Sequence, residues 1–231
     1  MGEKSNAFES LVRLIDEKGT LKQKVYQNTL SGFKQFVEVI EETLEEIKKA
    51  LPNLDDSVPV EYKIKNEFEV QVTIAGDILI FHMHTNIFQF ERNHRVWKTS
   101  YVQEDETRSY CGIIYVYNFL KDSFKYDRNQ DLGYLIGRVF INKDNHYFVE
   151  GKRQMGFLYN NFSKALLNKQ ELRKILESVL LYSLDFDLFI PLYDEIKEIT
   201  VYELKQVHKN APIPTGKRLG YKFQTDSDDV I

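Results

Sequence analysis

The sequence predicts an α+β domain, a mostly antiparallel and twisted sheet flanked by N-terminal and C-terminal helices. Three observations predict it. Between Tyr26 and Leu51 the apolar residues fall at Tyr26, Leu30, Phe33, Val37, Ile40, Leu44, Ile47 and Leu51. Those steps alternate four and three, which keeps one seam along a helix. The middle of the chain is punctuated by turn residues and aromatics; 14 Tyr and 16 Phe suit pleated, half-buried surfaces. No helix-period segment separates the strand patterns at the intervals a βαβ fold needs, so neighbouring strands should run antiparallel.

Taken in order, Ser5 is a plausible N-cap for a short first helix whose inner stripe is Phe8, Leu11, Val12 and Ile15. Gly19 should end it, and Thr20 can cap the long second helix. Gly32 costs that helix about 1 kcal/mol relative to Ala, so it marks close packing or a kink. Phe36 widens the seam beyond a pure heptad stripe, which favours packing on a sheet over a free coiled coil. Pro52 and the polar cluster 53–57 stop the helix.

The β region covers residues 60–159. Residues 68–74 alternate apolar and polar, the mark of a strand wet on one face. Gly76-Asp77 is a turn, and residues 78–83 are apolar on both faces, as in a central strand. Residues 87–91 and 95–101 read as weaker strands, and 103–109 as a charged loop. Residues 112–119 and 134–142 are further strands. Lys143-Asp144-Asn145 then makes a tight hairpin into 146–150. Helical spacing returns over 163–184, with Leu166, Leu167, Leu172, Ile175, Leu176, Val179 and Leu180 on the buried face. Another helix is expected over 192–207. The predicted organisation is one domain over residues 1–208 (helical 5–51, β-rich 60–159, helical 163–208). Residues 209–231 follow as an extended polar tail, in which Leu219, Tyr221 and Phe223 are apolar enough to dock on a partner.

Composition narrows the function. A formal net charge of −4 over 231 residues argues against a strong electrostatic grip on nucleic acid. The single cysteine, Cys111, allows no internal disulfide and sits in an apolar run, where a thiol acts as a small hydrophobe. No apolar run approaches the ~20 residues of a membrane span, and the charged first residues do not read as a signal peptide. The expected address is the cytoplasm. No GxxxxGK[ST] loop, GxGxxG turn or GxSxG elbow occurs, and no cofactor is expected.

Three constellations carry possible chemistry. His82 and His84 point to the same face of a strand, and His94 follows, so the three could share a metal. Gly76, the His-x-His pair and Glu91 resemble the first cupin motif. Gln89 stands where that motif wants Glu, and no second motif follows. The plainer reading is two imidazoles bonded to backbone or water. Glu150-Gly151-Lys152 at a strand end, with Asp131 upstream and Asp127 behind it, resembles the core of the PD-(D/E)xK nucleases. That resemblance implies two carboxylates on a divalent cation and a Lys that activates water. Against it, Asp131 lies before the preceding strand. Arg92, Arg95, Trp97 and Lys98, with Lys152 and Arg153, could stack bases or grip phosphate; the plainer reading is a charged edge with Trp97 anchored in the core.

These readings set the expectations. The first is a non-catalytic cytoplasmic protein acting through protein–protein contacts, with a protein partner or self-association. The second is a metal-dependent phosphodiesterase or nuclease using Asp131, Glu150 and Lys152. The third is a small-molecule pocket, lined by Tyr and Phe, between the curved sheet and the long helix. A nucleic-acid partner is less favoured, and no membrane partner is expected.

Overall fold

The computed structural model describes residues 6–151, 156, 159–186 and 193–202. Helix α1 (Asn6–Leu14) runs through one π-helical turn (Ile15–Gly19) into α2 (Thr20–Ala50). The predicted break at Gly19 does not occur. Leu14, Gly19 and Thr20 all keep right-handed helical φ/ψ, and no side chain caps either junction. Glycine ends helices by adopting positive φ, which Gly19 does not do. A π turn holds an extra residue, so it rotates the stripe of α1 out of phase with the seam of α2. The predicted inner stripe is exposed because the rod overruns the sheet: Asn28 and Thr29 already sit at the sheet's end, against Asn142 and Gly112, no residue of α1 or of the π turn is buried, and Phe8, Leu11, Val12 and Ile15 are 46–65% accessible.

Seven strands form one antiparallel sheet: β1 (Val60–Asn66), β2 (Glu69–Ile74), β3 (Asp77–Met83), β4 (Phe88–Gln89), β5 (Tyr110–Leu120), β6 (Tyr134–Asn142) and β7 (Tyr147–Gly151). Their order is β1-β2-β3-β5-β6-β7, with β4 beside the start of β5, in line with β3. The β2–β3 turn has two residues. They are Ala75, at positive φ, and Gly76, so the turn lies one residue before the predicted Gly76-Asp77.

One face of the sheet carries α2 and α5 (Lys169–Leu184). Lys169 pairs with Glu38 and Glu42, and Arg173 pairs with Glu46, so the two helices run parallel. Their apolar faces enclose the main core, in which Phe33, Phe36 and Ile40 of α2 and Leu172, Ile175 and Leu176 of α5 bury against Val72, Phe81, Ile114 and Ile141. The predicted seam holds: Phe33, Ile40 and Leu44 are fully buried, while Leu51 at its end is 48% exposed. Two glycines set how closely α2 approaches. A Cβ on Gly32 would meet Leu167 at 2.8 Å, and one on Gly112 of β5 would meet Thr29 at 2.0 Å. Gly32 therefore marks close packing. Asn168 caps α5 by accepting from Glu171 N at 3.0 Å, so this helix starts later than residue 163. Leu166 lies outside it, in a bridge to His146, and is exposed; the other residues of the predicted buried face are buried.

The second face is half covered. Residues 95–101, predicted as a strand, form a 3-10 turn (Arg95–Lys98) that leads into α3 (Ser100–Glu104), and a second 3-10 turn (Glu106–Ser109) follows. Local capping overrides the alternating pattern. The side chains of His94, Thr99 and Asp105 accept from the backbone N–H of Val96, Val102 and Thr107. This segment lays Val96, Tyr101 and Val102 over Cys111, Ile113, Phe140 and Phe148, a second core. Helix α4 (Lys121–Lys125) was not expected, and α6 (Tyr193–Ile196) is one turn of the helix expected over 192–207. Residues 203–207, Lys152, Arg153 and the predicted tail with Leu219, Tyr221 and Phe223 lie outside the described residues. Among the described residues no helix is long and apolar enough to cross a membrane.

Candidate functional site

Strand register brings the titratable residues of the β region into one line on the second face. Glu69 faces His82, His82 faces Tyr115, Tyr115 faces Arg138 and Arg138 faces Glu150. At one end His82 Nδ1 lies 3.7 Å from the Glu69 carboxylate. At the other end Glu150 is held by Arg138 and, at 3.1 Å, by His94 Nε2. Burial pushes the Glu150 carboxyl up, but the hydrogen bonds from His94 and Arg138 outweigh it and leave the group below its usual range. His94 also stacks on Phe90 at 4.5 Å and caps the 3-10 turn, so it ties the covering segment to β7.

The sequence-predicted sets converge only in part. His84 lies on the same face as His82, accepts from Asn86 N through Nδ1 and packs edge-on to Phe88. His94 turns to Glu150 instead. Among the described residues no group of three His, Cys, Asp or Glu side chains is placed to share a metal ion. Asp131 accepts from Ser123 at 2.6 Å and pairs with Arg128 at 2.8 Å, beyond the start of β6. Glu150 faces Arg138, roughly 13 Å further along that strand from Tyr134. Among the described residues the two carboxylates have different partners, Ser123 and Arg128 for Asp131 and His94 and Arg138 for Glu150. Trp97 donates to Phe90 O and packs on the second core, with Arg92 over its ring at 3.9 Å and bound to Glu106. Arg95 reaches Asn160. Cys111 is fully buried, and burial alone pushes its thiol up, which keeps it protonated.

An aliphatic concavity lies elsewhere. Where α2 and α5 end together, their last turns and the sheet margin enclose a groove of about 610 Å³. Ile47, Ala50, Leu51, Leu180, Leu181 and Leu184 form its helical walls; Leu54, Val58, Val60, Ile74 and Ala75 close it. The lining is aliphatic because Ile47 and Leu51 continue the α2 seam, while Leu181 and Leu184 lie off the buried stripe of α5. Leu181 is 67% exposed and Leu184 49%. A charged rim crosses one side: Arg173 binds both oxygens of Glu46 and, through Nε, Glu177 at 2.9 Å. Those bonds raise the Arg173 pKa further, so its guanidinium stays charged at any working pH.

Comparison with protein-family models, with curated proteins and with solved structures finds no match to this chain. Sequence reasoning missed the groove, though a signal for it existed. Leu181 and Leu184 fall off the buried stripe of Leu172, Ile175, Leu176, Val179 and Leu180, and such extra leucines mark a second apolar face. It also missed Glu69, Tyr115 and Arg138, which become neighbours of the histidines only through register.

Proposed function

We propose that this chain is a non-catalytic binding protein of the cytoplasm that acts through protein–protein contacts, with the groove at the ends of α2 and α5 as its contact site. The groove carries this reading. It is apolar, open, large enough for several side chains and bordered by fixed charges, the make-up of a site that takes an amphipathic helix. The other readings have less support. The space between the sheet and the middle of α2 is filled, with Phe36 edge-on to Phe81 at 5.1 Å, and the groove that remains is aliphatic rather than lined by Tyr and Phe. The hydrolytic reading needs Asp131 and Glu150 at one cation, and each is engaged by a different Arg. A photo-crosslinking amino acid at position 181, with position 132 as an exposed control, tests the reading in the native cell. Protein adducts from 181 and none from 132 are expected. Small-molecule adducts, or none, would overturn it.

A further inference from the structure

The two margins of the sheet are built differently. β7 is covered, because Tyr147 N and Val149 N donate to Ala165 O and Tyr159 O, each at 3.1 Å. β1 is open. Its regular pairing with β2 runs from Val60 to Ile64 and stops at a bulge. Ala75 N donates to Pro59 O at 2.9 Å, so Pro59, Glu61 and Lys63 turn their backbone groups towards β2. Val60, Tyr62 and Ile64 therefore turn theirs outward, and among the described residues those groups have no backbone partner. An open edge of this kind is a template for another strand. We infer that β1 pairs antiparallel with β1 of a second copy, across a two-fold axis at Tyr62, and joins the two sheets into one.

The pattern of β1 favours this partner and this register. Outward residues must face outward residues, which leaves few symmetric alignments. An axis at Val60 leaves most of the strand unpaired. An axis at Glu61 sets that residue against itself, and one at Lys63 does the same. An axis at Ile64 sets Lys63 against the partner's Lys65. The axis at Tyr62 instead sets Glu61 against the partner's Lys63, twice over, in the closely spaced pairs where side chains meet. Both residues are exposed, and neither has an ion-pair partner among the described residues. On the helix face, Ile64, which is 57% exposed, comes to lie beside the partner's Val60. The three outward N–H and three outward C=O groups of Val60, Tyr62 and Ile64 all pair, and the axis falls at the middle of the regular stretch. The acidic side chains of α2 near this strand are already held within the chain, Glu41 by Tyr62 and Glu45 by Lys49 at 3.7 Å. A strand built for an unrelated peptide would need no such self-complementarity.

Analytical ultracentrifugation of the full chain from roughly 1 to 100 μM should show a monomer–dimer equilibrium. Ile64→Pro removes an outward N–H at an exposed position and leaves the bonds to β2 in place, so the variant should fold and stay monomeric over that range. Glu61→Lys or Lys63→Glu alone sets like charges opposite each other and should weaken dimerisation about tenfold. The double swap should bring it back to within about threefold of the wild type. Chains carrying Glu61→Cys mixed with chains carrying Lys63→Cys should form an intermolecular disulfide at least about tenfold faster than either variant alone, because this register brings those Cα atoms to about 4.5 Å. Buried Cys111 takes no part. A monomer over the whole range overturns the inference and leaves the edge to an extended segment of another protein. A dimer that survives Ile64→Pro overturns it too, since the contact then lies elsewhere. So does a disulfide that forms fastest between two Glu61→Cys chains, which would place the axis at Glu61.

Discussion

Replacing Gly112 by Ala should unseat α2 from the sheet, and the cost can be worked from the contact it would make. An added Cβ meets Thr29 Oγ1 at 2.0 Å and both Thr29 Cβ and Cγ2 at 2.7 Å. Thr29 cannot turn away. It is β-branched and fully buried, and its hydroxyl donates to Val25 O at 2.8 Å. The helix must lift instead, and the contacts of Phe33 and Phe36 loosen with it. Overpacking of this kind costs about 1–3 kcal/mol, and contact with a rigid helix places Gly112→Ala near 3. For a chain of this length that is a fall in Tm of about 6–12 °C. Thr29→Ala alone should cost about 1 kcal/mol, for a lost buried hydroxyl bond and a small void. It removes two of the three clashing atoms, so the double variant should be more stable than the sum of the two single effects by at least about 1 kcal/mol. Urea titration of the four proteins measures this. A neutral Gly112→Ala, or simple additivity, would refute the seating of α2 on β5.

Ile40 is fully buried in the same interface, so Ile40→Asp should cost roughly 4 kcal/mol or more and lower the melting temperature sharply; an unchanged melt would mean that the seam faces water. Lys143 and Thr107 bind Asp105 and hold its carboxyl at about 2, below the usual 3.8. A depressed carboxylate stabilises the fold above its unfolded pKa, and that contribution fades as pH falls from about 4 towards 2. Discounted for its exposure, the pair contributes about 1 kcal/mol at neutral pH. Lys143→Met should remove most of that at pH 7 and little at pH 2. Equal losses at both pH values would show that Lys143 acts through packing.

The parts of the fold legible in the sequence are those where local pattern and tertiary demand agree. The α2 seam, the long central strands and the hairpin at Asn145 all have one strong local signal, and the structure uses it; the β2–β3 turn falls within one residue of its signal. Residues 95–101 were misread because Arg95, Trp97 and Thr99 alternate like a strand, while the caps from His94 and Thr99 act over two or three residues and prevail. The stripe of α1 was correctly seen as apolar, but nothing local in the sequence shows that the helix overruns the sheet and leaves that stripe uncovered. The candidate site was the least legible part. The groove is built from three separated segments that meet only in the fold, and the line from Glu69 to Glu150 depends on the register of five strands.

The central claim is that the groove is a covered contact surface in the cell, and thiol footprinting tests it directly. Cys111 is buried, so the single engineered thiol of Leu181→Cys or of Leu132→Cys is the one that reports. Leu132 is 54% exposed and forms no part of the groove lining, so it serves as the reference. Alkylation of the position-181 thiol should be at least about tenfold slower in intact cells than in dilute purified protein, while the position-132 thiol reacts at similar relative rates in both. Equal protection at the two positions, or none at position 181, would contradict the account.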